Sequence, residues 1–218
     1  MAQQERAIRT RQAILEAAAT VFAERGYDGT TIGEVLQRAE VTKGALYFHF
    51  SSKEDLALGV LSAQLDFGPL PPQATKLQEL VDQGMVLAYR LRREPLVRAS
   101  VALAIDQGAT GVDRAMPFRA WVAQVTEILE AAKAQGELLP HVNVVDTAEL
   151  FAGAFAGIQT MSQILCERED LERRVAVLLR HVVPSISVPA LLATLDLNPD
   201  RGERLFAQYE MSELADHA

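Results

Sequence analysis

Residues Lys43, Gly44, Tyr47 and Phe48 share one face of a short helical stretch, with Ala45 and Leu46 on the opposite side. That face offers one cation, one missing side chain and two aromatic rings. Lys43 can donate to guanine acceptors in a major groove, and Thr42 at the helix start can donate, accept or touch a thymine methyl. Gly44 permits close approach to the groove floor. Tyr47, through its hydroxyl, and His49 suit phosphate oxygens. A helix that turns Lys-Gly-x-x-Tyr-Phe outward has no core reason to exist, because glycine and aromatic residues weaken it without a packing gain. The competing reading is a helical hairpin that merely exposes two rings.

The elements that would hold this face are legible on both sides of it. Thr31 to Phe50 reads as two short helices joined by a tight turn, the sequence form of a helix-turn-helix whose second helix enters the major groove. Thr30 or Thr31 caps the first of these helices, with Ile32, Val35 and Leu36 inward. Ahead of it, Ile14, Leu15, Ala18, Val21 and Phe22 mark an amphipathic helix that ends at Gly26. Behind it, Ser51-Ser52-Lys53-Glu54 has capping-box spacing and opens a longer helix through about Phe67, which Gly68-Pro69-Leu70-Pro71-Pro72 breaks. Phe50 is expected to fill the core. Thr31 and Lys53, at helix starts, can add side-chain and backbone contacts to phosphates. Arg11 belongs to an N-terminal cation cluster with Arg6 and Arg9.

Further helices are expected near 73–93, 95–107, 114–135, 146–166 and 168–183, followed by shorter pieces, with loops at 108–111 and 136–144. No strand, repeat or low-complexity tract is visible, so the fold class is all-α. The expected division is a DNA-binding domain over 1–55 and a ligand-binding and dimerisation domain over 56–218, with the helix after Ser52 belonging to both. The net charge of −8 looks wrong for a nucleic-acid binder. Its placement matters more: residues 1–60 carry seven Lys/Arg against eight Asp/Glu, and 61–218 carry fourteen against twenty-one. Most of the acid therefore lies away from the reading face.

Other classes find little support. A single cysteine, Cys166, excludes an intramolecular disulfide framework and fits a reducing cytosol. The N-terminus lacks the apolar run of a signal peptide. Leu150 to Cys166 is uncharged and contains Gly153-x-x-x-Gly157, but it falls short of the roughly 20 residues that a membrane span needs. The four histidines show no metal-ligand spacing, Cys166 has no neighbouring base, and no glycine-rich phosphate loop appears. No enzyme activity, metal or cofactor is expected.

Thr42-Lys43-Gly44-Ala45-Leu46-Tyr47-Phe48-His49-Phe50-x-x-Lys53-Glu54-x-Leu56 resembles the signature of TetR-type repressors, and the resemblance extends over residues 8–60. It implies an all-α homodimer with an N-terminal three-helix reader and a larger C-terminal domain. Members usually carry glycine in the inter-helix turn, where this chain has Glu40. A non-glycine residue there at positive φ costs on the order of 1 kcal/mol. More narrowly, residues 6–64 and 117–189 are similar to the γ-butyrolactone receptor branch. The segments that carry this are RAIRTRQAILEAA, KGALYFHFSSKEDLALGV, Pro117-Phe118-x-x-Trp121, Gly136-Glu137-Leu138-Leu139-Pro140-His141 and Phe155-Ala156-Gly157-Ile158-Gln159. The resemblance implies a small, mostly apolar autoregulator that releases the protein from palindromic operator DNA near antibiotic-biosynthesis genes. Alternatives are a pseudo-receptor answering antibiotics or their intermediates, and a multidrug-sensing repressor of an efflux gene.

Trp121, the only tryptophan, shares a helix face with Val125 and is either core or pocket wall; the resemblance assigns it to cover a lactone ring. Gln64, Gln159 and Thr160, on otherwise apolar helices, are candidate orienting groups or buried polar residues satisfied internally. Phe118, Met85 and Phe155 complete the expected ligand-binding set, the last two as wall or core. Dimer contacts are expected on helices 146–166 and 168–183, with Val175, Leu178, Leu179, Val182 and Val183 as the apolar face. Ligand is expected to act by pushing on the helix over 52–67 and so changing the distance between the two readers.

Overall fold

Apolar side chains spaced three and four residues apart need helices to bury them, and among the described residues the chain is helical with no strand. The computed structural model describes residues 2–65, 70–109 and 111–216. They form two compact units: one of residues 1–66 with 94–117, the other of 67–93 with 118–218.

The first unit contains α1 (Ala2–Gly29), α2 (Ile32–Ala39), α3 (Lys43–His49), α4 (Lys53–Ser62) and α6 (Pro95–Ile105). Regular helix in α1 breaks at the expected Gly26, whose φ of 71° and ψ of 170° lie outside helical geometry. Ile14, Leu15, Val21 and Phe22 of α1 meet Val35, Leu46, Phe50, Leu56 and Val60 in a closed core. Gly59 makes that closure possible: a Cβ there would stand 2.9 Å from the Phe50 ring and 3.0 Å from Leu15. The α6 helix packs on α1 and α4, and the Ser100 hydroxyl donates to the Leu61 carbonyl at 2.9 Å.

Two expectations for α4 need correction. It ends at Ser62 and passes into a turn through Leu65, while Asp66 and Phe67 lie outside the described residues. Its cap is one residue later than the expected Ser51 and Glu54 pair. Ser52 accepts from the Asp55 amide at 3.0 Å, and the Asp55 carboxylate accepts from the Ser51 amide at 2.7 Å.

The second unit is built round α5 (Lys76–Arg93), which is buried without interruption from Leu80 to Ala88. A helix covered on all sides must be central. With α7 (Met116–Ala134) from Phe118 onward, it is joined by α8 (Val144–Cys166), α9 (Leu171–Ile186), α10 (Pro189–Leu192) and α11 (Arg201–Asp216). The N-terminus of α5 is capped from a distance. Both oxygens of the buried Glu137 accept from it, one from the Lys76 amide and one from the Leu77 amide, each at 2.8 Å.

Where short pieces were expected, α11 is a 16-residue helix docked on α5. Arg201 grips the buried Asp82 with two bonds of 2.8 and 2.7 Å. One residue on, a Cβ at Gly202 would come within 2.3 Å of the Met85 carbonyl, so only glycine allows this approach.

The expected dimer face on α9 is used differently. Val175, Leu179 and Val183 are fully buried within the unit, where α9 packs against α5 and α8. Leu178 and Val182 are half-buried. The apolar surface left exposed lies mainly on α8, at Leu150, Met161, Ile164 and Leu165. Among the described residues no helix is long and apolar enough to cross a membrane.

Candidate nucleic-acid interface and ligand-contact residues

The reading helix is short, so its ends decide its geometry. Thr42 is the N-cap of α3, with its hydroxyl oxygen accepting from the Ala45 amide at 3.2 Å. One lone pair of Thr42 is thereby used, and its O–H remains a donor. Leu46 is buried and Ala45 half-buried, which fixes the helix by its inner side. Lys43 and Gly44 are exposed on the outer side, with Tyr47 44% and Phe48 80% exposed. Nothing lies within 4 Å of where a Gly44 Cβ would stand. Lys43 extends over the Tyr47 ring at 5.9 Å.

His49, half-buried, meets the Phe48 ring edge-on at 5.0 Å. Arg11 comes from α1 to lie over the Phe50 ring at 5.2 Å, so this cation is held beside the end of α3. The turn that aims α3 passes through Glu40 at φ 53° and ψ 37°, the left-handed conformation expected there.

Thr31 and Lys53 are less free than their positions implied. Thr31 caps α2 in a full capping box with Glu34. The Glu34 carboxylate accepts from the Thr31 amide at 2.9 Å and from its hydroxyl at 2.9 Å, and Arg25 pairs with it at 3.1 Å. The Thr31 amide bond, then its hydroxyl, with Arg25 and Lys53 adding positive field, hold Glu34 below the usual carboxylate range. A carboxylate thus occupies the amide that a phosphate would use. The spacing Thr31-x-x-Glu34 was the sequence signal for this box. Lys53 lies over the Tyr27 ring at 4.5 Å, and its ammonium donates to the Asp28 carbonyl at 3.4 Å.

In the second unit, Trp121 and Phe155 come together as an aromatic pair, edge to face at 5.0 Å. Phe151, which sequence reasoning passed over although it lies one helical turn from Phe155, adds a second ring 5.7 Å from Trp121. Val125 and Met85 are fully enclosed and Phe118 is half-buried. Trp121 is 6% exposed, yet its indole Nε1 has no hydrogen-bond partner. An orphaned buried donor costs about 1–3 kcal/mol, which an acceptor on a bound molecule would recover.

Gln159 and Thr160 are satisfied internally. Gln159 donates to the Thr160 hydroxyl at 2.8 Å, Thr160 donates to the Ala156 carbonyl at 2.8 Å, and Arg168 donates to Gln159 Oε1 at 3.1 Å. Gln64 belongs to the first unit rather than the second, and its amide donates to the Leu61 carbonyl at 3.4 Å. Among the described residues no group of His, Cys, Asp and Glu is placed to hold a metal ion.

Comparison with known proteins agrees with this arrangement. Residues 14–60 match the model described as bacterial regulatory proteins, tetR family. The chain is 38% identical over 193 residues to the A-factor receptor protein of Streptomyces griseus, covering 88% of this chain and 69% of that one. Full-length native TylP, a TetR regulator from Streptomyces fradiae, superposes with a TM-score of 0.89 at 44% identity, covering 93% of this chain and 98% of that one. A γ-butyrolactone receptor described as ArpA-like superposes with a TM-score of 0.66 at 28% identity, covering 93% and 99%. With its capped reading helix, its all-helical second unit and these relatives, the chain belongs to the TetR family of bacterial regulatory proteins.

Proposed function

We propose that this protein is a ligand-released repressor of secondary-metabolite genes, acting in the cytoplasm and without enzymatic turnover. A homodimer binds palindromic operator DNA through the two α3 helices. A small, mostly apolar γ-butyrolactone-type signal, held by the second unit, frees it. The observation that carries the reading is the outward face of α3, where Tyr47 and Phe48 stand in solvent beside Lys43 and the open Gly44. Rings exposed on a capped, rigid helix are shaped for a groove. Arg11 and His49 flank that face as phosphate contacts, with Thr42 reading at its start. Thr31 and Lys53 contribute to phosphate contact only if Glu34 and Tyr27 release them.

The relatives named as receptors of A-factor and of γ-butyrolactone support the ligand class. The orphaned Trp121 N–H supports a site with an acceptor to offer it, and a lactone carbonyl is such an acceptor. A pseudo-receptor role is favoured by one feature: Gln159 and Thr160 are already spent on each other, Ala156 and Arg168. Copies meet through the outer face of α8, where Ile164 is 78% exposed and Gly153 and Gly157 leave room for close helix approach. Coupling arises because ligand prefers a shape in which the two readers no longer match adjacent half-sites. That preference is reciprocal, so operator DNA must weaken ligand binding by the same factor.

The test is a fluorescence anisotropy titration of a palindromic operator with the Lys43→Ala, Tyr47→Ala double variant. Loss of binding by a protein that remains a folded dimer is the expected result, and retained affinity would remove α3 from the interface. Native mass spectrometry against a panel of alkyl-substituted lactones then assigns the signal.

A further inference from the structure

We propose a second small-molecule site, for a compact organic monocation, within the DNA-reading unit. A half-open cleft of about 220 Å³ lies between the last regular turns of α1 and α6. The buried Phe22, Ala99 and Leu103 form its floor, and the exposed Ala23 and Ala102 its rim. It exists because the facing side chains stop at Cβ or earlier: a Cβ added at Gly26 would still stand 3.7 Å from its nearest neighbour, the Asp106 carboxylate.

The electrostatics of the cleft choose its occupant. The first helical stretch of α1 ends at the Gly26 kink and α6 ends at Ile105. Two helix C-termini, each carrying about half a negative charge, thus lie beside one end of the cleft, together with the Tyr27 amide that opens the next stretch of α1. The C-cap of α6 is itself an anion, Asp106. Its carboxylate accepts from the Gly108 amide at 2.9 Å and more loosely from the Tyr27 amide at 3.4 Å. No side-chain cation among the described residues pairs with it. Arg25 of α1 is paired with Glu34, and Lys53 of α4 lies over the Tyr27 ring. A carboxylate beside two helix C-termini leaves this end of the cleft negative, where a cation is favoured, and the adjoining walls are apolar. The matching molecule carries one ammonium group on a hydrocarbon body about the size of a single ring. The cleft is smaller than the pockets of about 300–1,000 Å³ that hold drug-sized ligands. This site shares no residue with the Trp121 cluster and does not depend on what that cluster binds.

The test is a titration of the isotope-labelled full chain with 2-phenylethylamine, followed by amide NMR shifts, with 2-phenylethanol as the neutral isostere. The amine should shift the amides of Ala23, Gly26, Tyr27, Leu103 and Gly108, and the alcohol should bind at least tenfold more weakly. Asp106→Asn, which keeps an acceptor for the Gly108 amide, should reduce the amine to the affinity of the alcohol. Ala102→Leu, on the exposed rim, should fill the cleft and abolish both responses. Shifts centred elsewhere, equal binding of amine and alcohol, or indifference to Asp106→Asn would each overturn the proposal. Neither operator DNA nor a lactone is present, so the outcome is independent of the repressor reading.

Discussion

Replacing Glu40 with glycine should raise stability and tighten operator binding, and the two effects have separate causes. Glu40 is the C-cap of α2 at φ 53° and ψ 37°, and its amide donates to the Leu36 carbonyl. In this conformation the Cβ of an L-residue crowds the following carbonyl, at a cost of about 1–2 kcal/mol. Glycine escapes the crowding but loses more freedom on folding, by roughly 0.5–1 kcal/mol, so the net gain lies between about 0 and 1.5 kcal/mol. For a chain of 218 residues each kcal/mol corresponds to a rise in melting temperature of about 2–4 °C. The carboxylate acts on DNA instead of on the fold. It is exposed two residues before the cap of α3, so it should act by screened repulsion on phosphates at that end of the helix.

Glu40→Gln separates the causes, because it removes the charge and keeps the backbone strain. Calorimetry should find Glu40→Gly more stable than Glu40→Gln, while anisotropy at about 50 mM salt should show tighter binding for both, with the gain fading at about 200 mM. Equal melting temperatures for the two variants would refute the strain argument. Unchanged affinity in Glu40→Gln would place the carboxylate away from the phosphates.

Trp121→Phe removes the orphaned N–H and keeps a ring, so the lactone concentration for half-release should rise about tenfold, the worth of one hydrogen bond. Operator affinity without ligand should stay unchanged in the same anisotropy assay, and an unshifted release curve would deny the indole its role. Asp82→Ala leaves the largely buried Arg201 with the longer Asp196 contact at 3.6 Å, and urea denaturation should report a loss of about 3 kcal/mol, the low end for a broken buried pair. The double variant Asp82→Leu, Arg201→Met should recover much of it.

Asp170 lies well below the usual carboxylate range because Arg174, then Ser162, with Cys166 and Arg173, bond to its charged form. A depressed folded value stabilises above the unfolded value near 3.8 and is lost as pH falls through the folded one. The urea midpoint of Asp170→Asn should therefore trail the parent at pH 7, and the gap should narrow steadily below pH 3.8.

How far the sequence could be read depended on whether a residue's partner was local. The capped turns of the reader were legible because their partners lie three or four residues away, and the strain at Glu40 was legible through the resemblance, whose members carry glycine in that turn. Thr31-x-x-Glu34 carries the same local signal, and its capping box competes with phosphate for the Thr31 amide. On α9 the apolar stripe at Val175, Leu179 and Val183 reads as a dimer face, and these three side chains are covered within their own unit instead. Periodicity tells that a face is covered, never by what, and here α5 and α8 cover it. The α11 helix was less legible because its docking depends on long-range partners, Arg201 on Asp82, Gly202 on the Met85 backbone and Phe206 beside Tyr89. Trp121 marks the limit from the other side. Its burial could be guessed from one apolar helix face, but that its N–H finds no partner depends on every neighbour at once. Under the proposed function that N–H is the donor a bound acceptor would satisfy, whereas the hydrogen bonds around Gln159 are already closed.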